Sequence, residues 1–167
     1  PLSKSTSNFI EKLTPKATLM FSPNETRNLV GDNIRVDANK IFSFNRIVSN
    51  ETVEGGGSLT YGISYNKKNK QDKREIFNID LASLIRLDEN LDLPKNSTLG
   101  KKSSDVFGNL QLNPNKQLAF NYNFALDNNL DKSNYDSFST TISFNKLVTT
   151  FEYFDEKNNL INESFTS

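Results

Sequence analysis

The chain has 167 residues, with 20 Lys and Arg balancing 20 Asp and Glu, and it contains neither Cys nor His. Balanced charge excludes the basic face of a general nucleic-acid binder. The two missing residue types exclude disulfides, Cys/His zinc sites, and Ser-His-Asp or Cys-His catalysis.

No apolar run approaches the roughly 20 residues that a transmembrane helix needs. Strands of a membrane barrel alternate, look only half apolar, and escape that criterion. Period two dominates here, and period 3.6 is hard to find. Alternate side chains of a strand point to opposite faces.

The stretch up to Leu13 is too short and mixed to assign. From Lys16 to Ser22, Ala17, Leu19 and Phe21 share one side. Ile41 to Arg46 reads as a short extra strand inside a long connection. Ser58 to Asn66 carries Leu59, Tyr61, Ile63 and Tyr65 on one side, with Ser58, Thr60, Gly62 and Ser64 on the other. Glu75 to Leu87 aligns Phe77, Ile79, Leu81, Ile85 and Leu87, interrupted by Ser83. Ser104 to Leu112 aligns Val106, Leu110 and Leu112, with Gly108 between.

Gln117 to Asp127 is the clearest case. Leu118, Phe120, Tyr122, Phe124 and Leu126 form one face, and Gln117, Ala119, Asn121, Asn123, Ala125 and Asp127 the other. Asp136 to Phe144 aligns Phe138, Ile142 and Phe144 around Thr140. Leu147 to Asp155 is apolar on both faces, and a last partial strand starts near Asn159. The fold class is therefore all-β, an antiparallel up-and-down meander of about seven or eight strands. Their lengths lie close to the 9–11 residues of a tilted membrane strand.

The connections alternate in length. Lys67 to Arg74, Asn113 to Lys116, and Asn145-Lys146 are short. Pro and Asn there supply the fixed φ and local side-chain bonds that turns use. Pro23 to Gly56, Asp88 to Ser103 and Asn128 to Tyr135 are longer, and Glu156 to Asn158 is the exception. Counted from a strand rising at Lys16, all short turns fall on one side, as in outer-membrane barrels.

Motifs for chemistry are weak. Val53-Glu-Gly-Gly-Gly57 lacks the Lys-Ser/Thr and helix of a phosphate loop and reads as backbone freedom before a strand. Asp127-Asn-Asn-Leu-Asp131 starts like a calcium loop, but Lys132 replaces the required Gly and Phe138 the required Glu. The basic turn of Lys67, Lys68, Lys70, Lys73 and Arg74 is a solvated connection before it is a headgroup site. No acid pair has a distinctive spacing. No catalytic residue, cofactor site or metal ligand is assigned, and the chain is not read as an enzyme. Alternation alone leaves open which strand face is wet. A soluble sandwich would bury Phe120, Tyr122 and Phe124, whereas a membrane barrel would turn them to lipid.

Leu13-Thr-Pro-Lys-Ala17 before an alternating strand, Phe44-Asn-Arg46 leading to Val53-Glu-Gly-Gly-Gly-Ser-Leu-Thr-Tyr-Gly62, and Ser103-Ser-Asp105 followed by Leu112-Asn-Pro-Asn115 occur in that order. Together they resemble the C-terminal β-barrel of the LptD family of lipopolysaccharide-assembly proteins, in its alphaproteobacterial form. The resemblance spans about residues 13 to 127. It implies that residues 1–167 are a single partial domain of a large transmembrane barrel, truncated at both ends. It implies the Gram-negative outer membrane as location and insertion of lipopolysaccharide into the outer leaflet as role. The implied partners are lipopolysaccharide, outer-membrane lipids, an LptE-like lipoprotein plug and the periplasmic Lpt bridge, with no nucleic acid.

On that reading Ser58, Thr60, Ser64, Gln117, Asn121, Asn123 and Asp127 face the lumen. Leu59, Tyr61, Ile63, Leu118, Phe120, Tyr122, Phe124 and Leu126 face lipid. The family's lateral seam and cysteines have no counterpart among these residues. The alternatives are another outer-membrane barrel, of porin or receptor type, and a soluble β-barrel or sandwich that binds a ligand.

Overall fold

Alternating side chains joined by short polar turns close one hairpin after another. In this computed structural model the described residues are 1–32, 34–47, 52–95, 97–156 and 164–166. They form β1 (Leu2–Ser5), β2 (Phe9–Ser22), β3 (Gly56–Asn69), β4 (Glu75–Arg86), β5 (Val106–Leu112), β6 (Leu118–Leu126), β7 (Ser133–Phe144), β8 (Leu147–Glu156) and β9 (Ser164–Thr166). The strands lie in one sheet in sequence order, each antiparallel to the next. This is the expected all-β meander. Among the described residues β1 does not pair with β9, so the sheet stays open.

The turns follow their sequences. Asn145 adopts φ 53° in the two-residue link between Phe144 and Leu147, a conformation Asn tolerates and hairpins of this length require. Asn115 Oδ1 accepts from the Gln117 N–H at 2.9 Å, and Asn69 Oδ1 from the Gln71 N–H at 2.8 Å. In the basic turn, Lys67 meets Glu11 at 3.4 Å, Lys68 meets Glu75 at 3.7 Å and Arg74 meets Asp72 at 3.4 Å. The Arg74 backbone N–H, donating to Asp72, holds that carboxyl below the usual range.

Two local expectations change. The first long strand starts at Phe9 rather than Lys16, and β1 precedes it. Pro15 lies within β2, paired with Ile63 of β3. Ile41 to Arg46 is not a strand. Asp37 Oδ1 accepts from the Asn39 and Lys40 N–H groups at 2.9 and 2.8 Å and winds Lys40–Phe42 into a 3₁₀ turn. The expected start near Asn159 lies outside the described residues, although Ser164–Thr166 is a strand.

Paired residues share a face, so the register divides the sheet. One face carries Ala82, Leu84, Phe107 and Ala125. The long connections 23–55 and 87–105 fold onto it with Leu29, Val36, Ala38, Ile41, Ile47, Leu93 and Leu99, forming the core. We term this the covered face. The other face is open and apolar: Leu19 is 82% and Phe144 70% exposed. On it the end of the Phe124 ring reaches over Gly108 of the neighbouring strand, where a Cβ would meet the ring at 2.0 Å. Glycine thus leaves room for a cross-strand aromatic.

Leu84 is fully buried between sheet and loops. Leu84→Ala is expected to cost about 2–5 kcal/mol. Equilibrium unfolding in urea checks this as a lower midpoint with a similar slope.

Candidate functional site

The two sets of residues singled out by alternation fall on opposite faces. Ser58 and Thr60 are buried under the loops, and Ser64, Asn121 and Asn123 lie half-buried farther down the same face. Gln117 precedes β6 at the short-turn end and is exposed. Asp127 follows β6 at the long-loop end and accepts from the Asp131 N–H at 3.1 Å. Leu59, Tyr61, Ile63, Leu118, Phe120, Tyr122, Phe124 and Leu126 share the open face. Their rings pack sideways on that face: Phe120 stacks with Phe138 at 6.2 Å, and Tyr122 lies 5.3 Å from Phe124. The Tyr122 hydroxyl donates to Asp136.

The covered face has two zones. Toward the short turns it is a hydrogen-bonded wall. Lys16 Nζ reaches Asp80 at 3.1 Å, and Asn78 donates to the same carboxylate at 2.6 Å. Asn66 donates to Glu75 and to Asn78. Asn109 donates to Asn121 at 2.9 Å and to Asn123 at 2.6 Å. A wall of amides, hydroxyls and compensated charges offers many exchangeable bonds to hydroxyl-rich ligands.

Toward the long loops the sequence pattern missed a buried ion cluster. Glu54 sits between two guanidiniums. Arg46 grips it in bidentate fashion, with Nη2 2.7 Å from Oε1, and Arg86 donates to the same oxygen. Arg46 also donates to Thr60 at 2.9 Å and Ser58 at 2.7 Å, and Arg86 donates to the Gly55 carbonyl at 2.7 Å. Arg46 and Arg86 are each 2% exposed. Gly56 has φ 87°, and a Cβ on Gly55 would come within 2.2 Å of the Asn24 carbonyl. The Gly run therefore lets the loop turn tightly enough to aim Glu54 inward. Thr26 completes the knot, its hydroxyl accepting from the Gly55 N–H at 2.8 Å and from Asn90 at 2.6 Å.

The signal was present in the sequence, in two pieces. Arg46 closes the aromatic-x-Arg segment and Glu54 opens the Glu-Gly-Gly run, and both belong to the ordered motifs noted above. Their contact is tertiary, so spacing could not show it.

The family model of LptD, LPS transport system D, matches residues 1–166. The chain belongs to the LptD family. No curated protein matches the chain. LptD proteins act in transport and assembly at the outer membrane. The role of this chain is in lipopolysaccharide transport and assembly, with lipopolysaccharide as substrate and the Lpt system as partner.

Two outcomes are expected. Glu54→Gln leaves two buried guanidiniums without their carboxylate, at a cost of about 3–5 kcal/mol. Hydrogen exchange should then speed up in 26–47 and 87–105 while β6 and β7 stay protected. The second concerns Asp105, buried where the loops meet β5. Burial pushes its carboxyl above the usual range, against the opposing bonds from the Asn134 amide and the Thr98 side chain. A raised carboxyl pKa means that the folded state takes up the proton first. Stability of this corner therefore rises as pH falls from neutral to the ordinary carboxylate range, and is lost as pH climbs through the folded value. Asp105→Asn should abolish that pH dependence, read as exchange rates across 98–105 at pH 7 and pH 5.

Proposed function

We propose that this segment forms part of the wall of a closed outer-membrane barrel through which lipopolysaccharide reaches the outer leaflet. On this reading the open face, with Leu59, Tyr61, Ile63, Leu118, Phe120, Tyr122, Phe124 and Leu126, contacts acyl chains. The covered face, with Ser58, Thr60, Ser64, Gln117, Asn121, Asn123 and Asp127, borders a hydrated lumen. The observation that carries the reading is the uncovered apolar face set against a polar face roofed by loops. In water an apolar surface of this extent would be buried. In lipid it is the favourable surface, provided no strand edge is left unpaired. The sheet's two free edges therefore call for further strands, which makes residues 1–167 one part of a larger barrel domain.

The protein then performs transport without bond chemistry. Sugar moves along the amide and hydroxyl wall while lipid stays outside. An LptE-like lipoprotein is the proposed lumen plug. The short-turn half of the covered face, which the described loop residues leave unroofed, is the surface available to it. The periplasmic Lpt bridge is the proposed donor of lipopolysaccharide on the short-turn side.

Spin labels placed singly along 117–127 in the full-length protein, reconstituted in bilayers, test the orientation. Oxygen-rich, nickel-poor signals are expected at 118, 120, 122, 124 and 126, with the reverse at 119, 121, 123 and 125. Aromatic positions shielded from both reagents would instead place Phe120, Tyr122 and Phe124 in a soluble-type core and end the proposal.

A further inference from the structure

The short-turn end of the sheet carries a surplus of positive charge. Turn 67–75 holds Lys67, Lys68, Lys70, Lys73 and Arg74 against Asp72 and Glu75. Turns 113–117 and 145–146 add Lys116 and Lys146 and no acid. The whole chain is neutral, so the surplus is a matter of placement. Lys67 is met by Glu11, Lys68 by Glu75 and Arg74 by Asp72. Among the described residues Lys70, Lys73, Lys116 and Lys146 have no carboxylate within ion-pair distance. Farther up the covered face, by contrast, Lys16 is met by Asp80 and Glu54 by two guanidiniums. Solvation of exposed turns accounts for the lysines one by one, but not for the cleft that two of the turns enclose.

Where turns 67–75 and 113–117 meet, a cleft of about 290 Å³ opens between Arg74, Lys116, Gln117 and, from β7, Thr141 and Ser143. Ala119 also lines it and pairs with Thr141, which places the cleft on the covered face. No Asp or Glu lines it. Arg74 is held there by its own bonds: Nη1 donates to the Asn113 carbonyl at 2.9 Å, and Nε faces Asp72, outside the cleft, at 3.4 Å. Among the described residues Arg74 Nη2, Lys116 Nζ and the Ser143 hydroxyl make no hydrogen bond. A positioned guanidinium, an ammonium and a hydroxyl thus surround a cavity that supplies donors and no anion. Phosphoryl oxygens accept from such donors and carry the charge that both cations match. A neutral sugar would leave the two cations uncompensated.

We propose that this cleft is a phosphate-binding subsite at the short-turn mouth of the barrel, where Arg74, Lys116 and Ser143 hold a phosphoryl group borne by a sugar of the transported glycolipid. The subsite deepens the transport reading and rests on the covered face being the lumen wall. A membrane phospholipid headgroup is another source of the same chemistry. The cleft opens on the face opposite Leu118, Phe120 and Phe124, however, so a lipid with its chains against that apolar row has its headgroup on the wrong side of the sheet. Lys70, Lys73 and Lys146 around the mouth add a field that speeds capture of an anion and that salt screens.

The test is isothermal titration of the full-length protein in detergent with three probes: a lipid-free disaccharide phosphate, the same disaccharide without phosphate, and glycerophosphoglycerol as the phospholipid headgroup. The disaccharide phosphate is expected to bind about tenfold more tightly than either of the others. Lys116→Gln and Arg74→Gln are each expected to weaken it about tenfold, and Lys132→Gln, at the long-loop end, to leave it unchanged. Lys116 carries no side-chain bond of the fold, so its variant reads the cleft even where Arg74→Gln loosens the turn. Heat-modifiable migration reports that the barrel is formed in each variant. Equal binding of the disaccharide without phosphate, unchanged affinity in Lys116→Gln, or an equal loss in Lys132→Gln overturns the subsite. Tighter binding of glycerophosphoglycerol gives the cleft to membrane phospholipid and overturns the assignment to cargo. A spin label at 119, read separately in bilayers, tells the two levels apart. A nickel-rich signal with flat titrations removes only the subsite, whereas an oxygen-rich signal removes the lumen reading beneath it.

Discussion

A slip of one residue in any pairing of this sheet would carry Asn, Asp and Ser side chains to the open face and drive Leu and Phe beneath the loops. Register is therefore strongly specified, because the side-chain period is two and the faces differ in kind. The pairing of Asn109 with Asn123 and of Leu110 with Tyr122 on adjacent steps shows the alternation being kept across strands. Asn109 makes this concrete, since its amide bridges Asn121 and Asn123. Moved to the other face, it would leave three amides unpaired in an apolar setting.

The loops depend on that parity. They place Leu29, Ile41, Ile47, Leu93 and Leu99 on an apolar patch of the polar face, around Ala82, Leu84 and Phe107. Apolar burial brings them down, and Glu54 fixes where they land. Hydrophobic contact has little directionality, whereas a carboxylate held by two guanidiniums accepts only one geometry. The cluster also carries one cation more than it carries anions. Arg86 Nε finds no hydrogen-bond partner among the described residues, so this corner is held in place rather than optimised for stability.

The strands were legible because a sheet with one polar and one apolar face leaves alternation unbroken: Gln117 to Asp127 needs no tertiary information to read. The reading missed the start at Phe9, because Phe9 to Leu13 is too mixed to assign until β3 is laid against it. Ile41 to Arg46 misled it in another way. Its apolar residues serve a loop core, and Asp37, four residues before Ile41, decides the local geometry through two backbone N–H bonds. The candidate site was legible only by half. Wall residues such as Asn121 and Asn123 declare themselves by period, while Arg46, Glu54 and Arg86 meet across spans that no local pattern records.

The nine residues of β6 rise about 3.4 Å each, roughly 30 Å along the strand. At the tilt of about 40° usual for membrane barrels, the row from Leu118 to Leu126 stands about 23 Å high, near the roughly 25 Å apolar band of such barrels. At its upper end Asp136 opposes Phe124 and is satisfied by the Tyr122 hydroxyl. At its lower end the row stops at the Asn113–Gln117 turn. On the proposed reading, with this row facing lipid, the strand is a gauge of membrane thickness, with no spare apolar turn at either margin. A thicker bilayer would have to thin around this wall, and local thinning is itself a lowered barrier for a lipid changing leaflets.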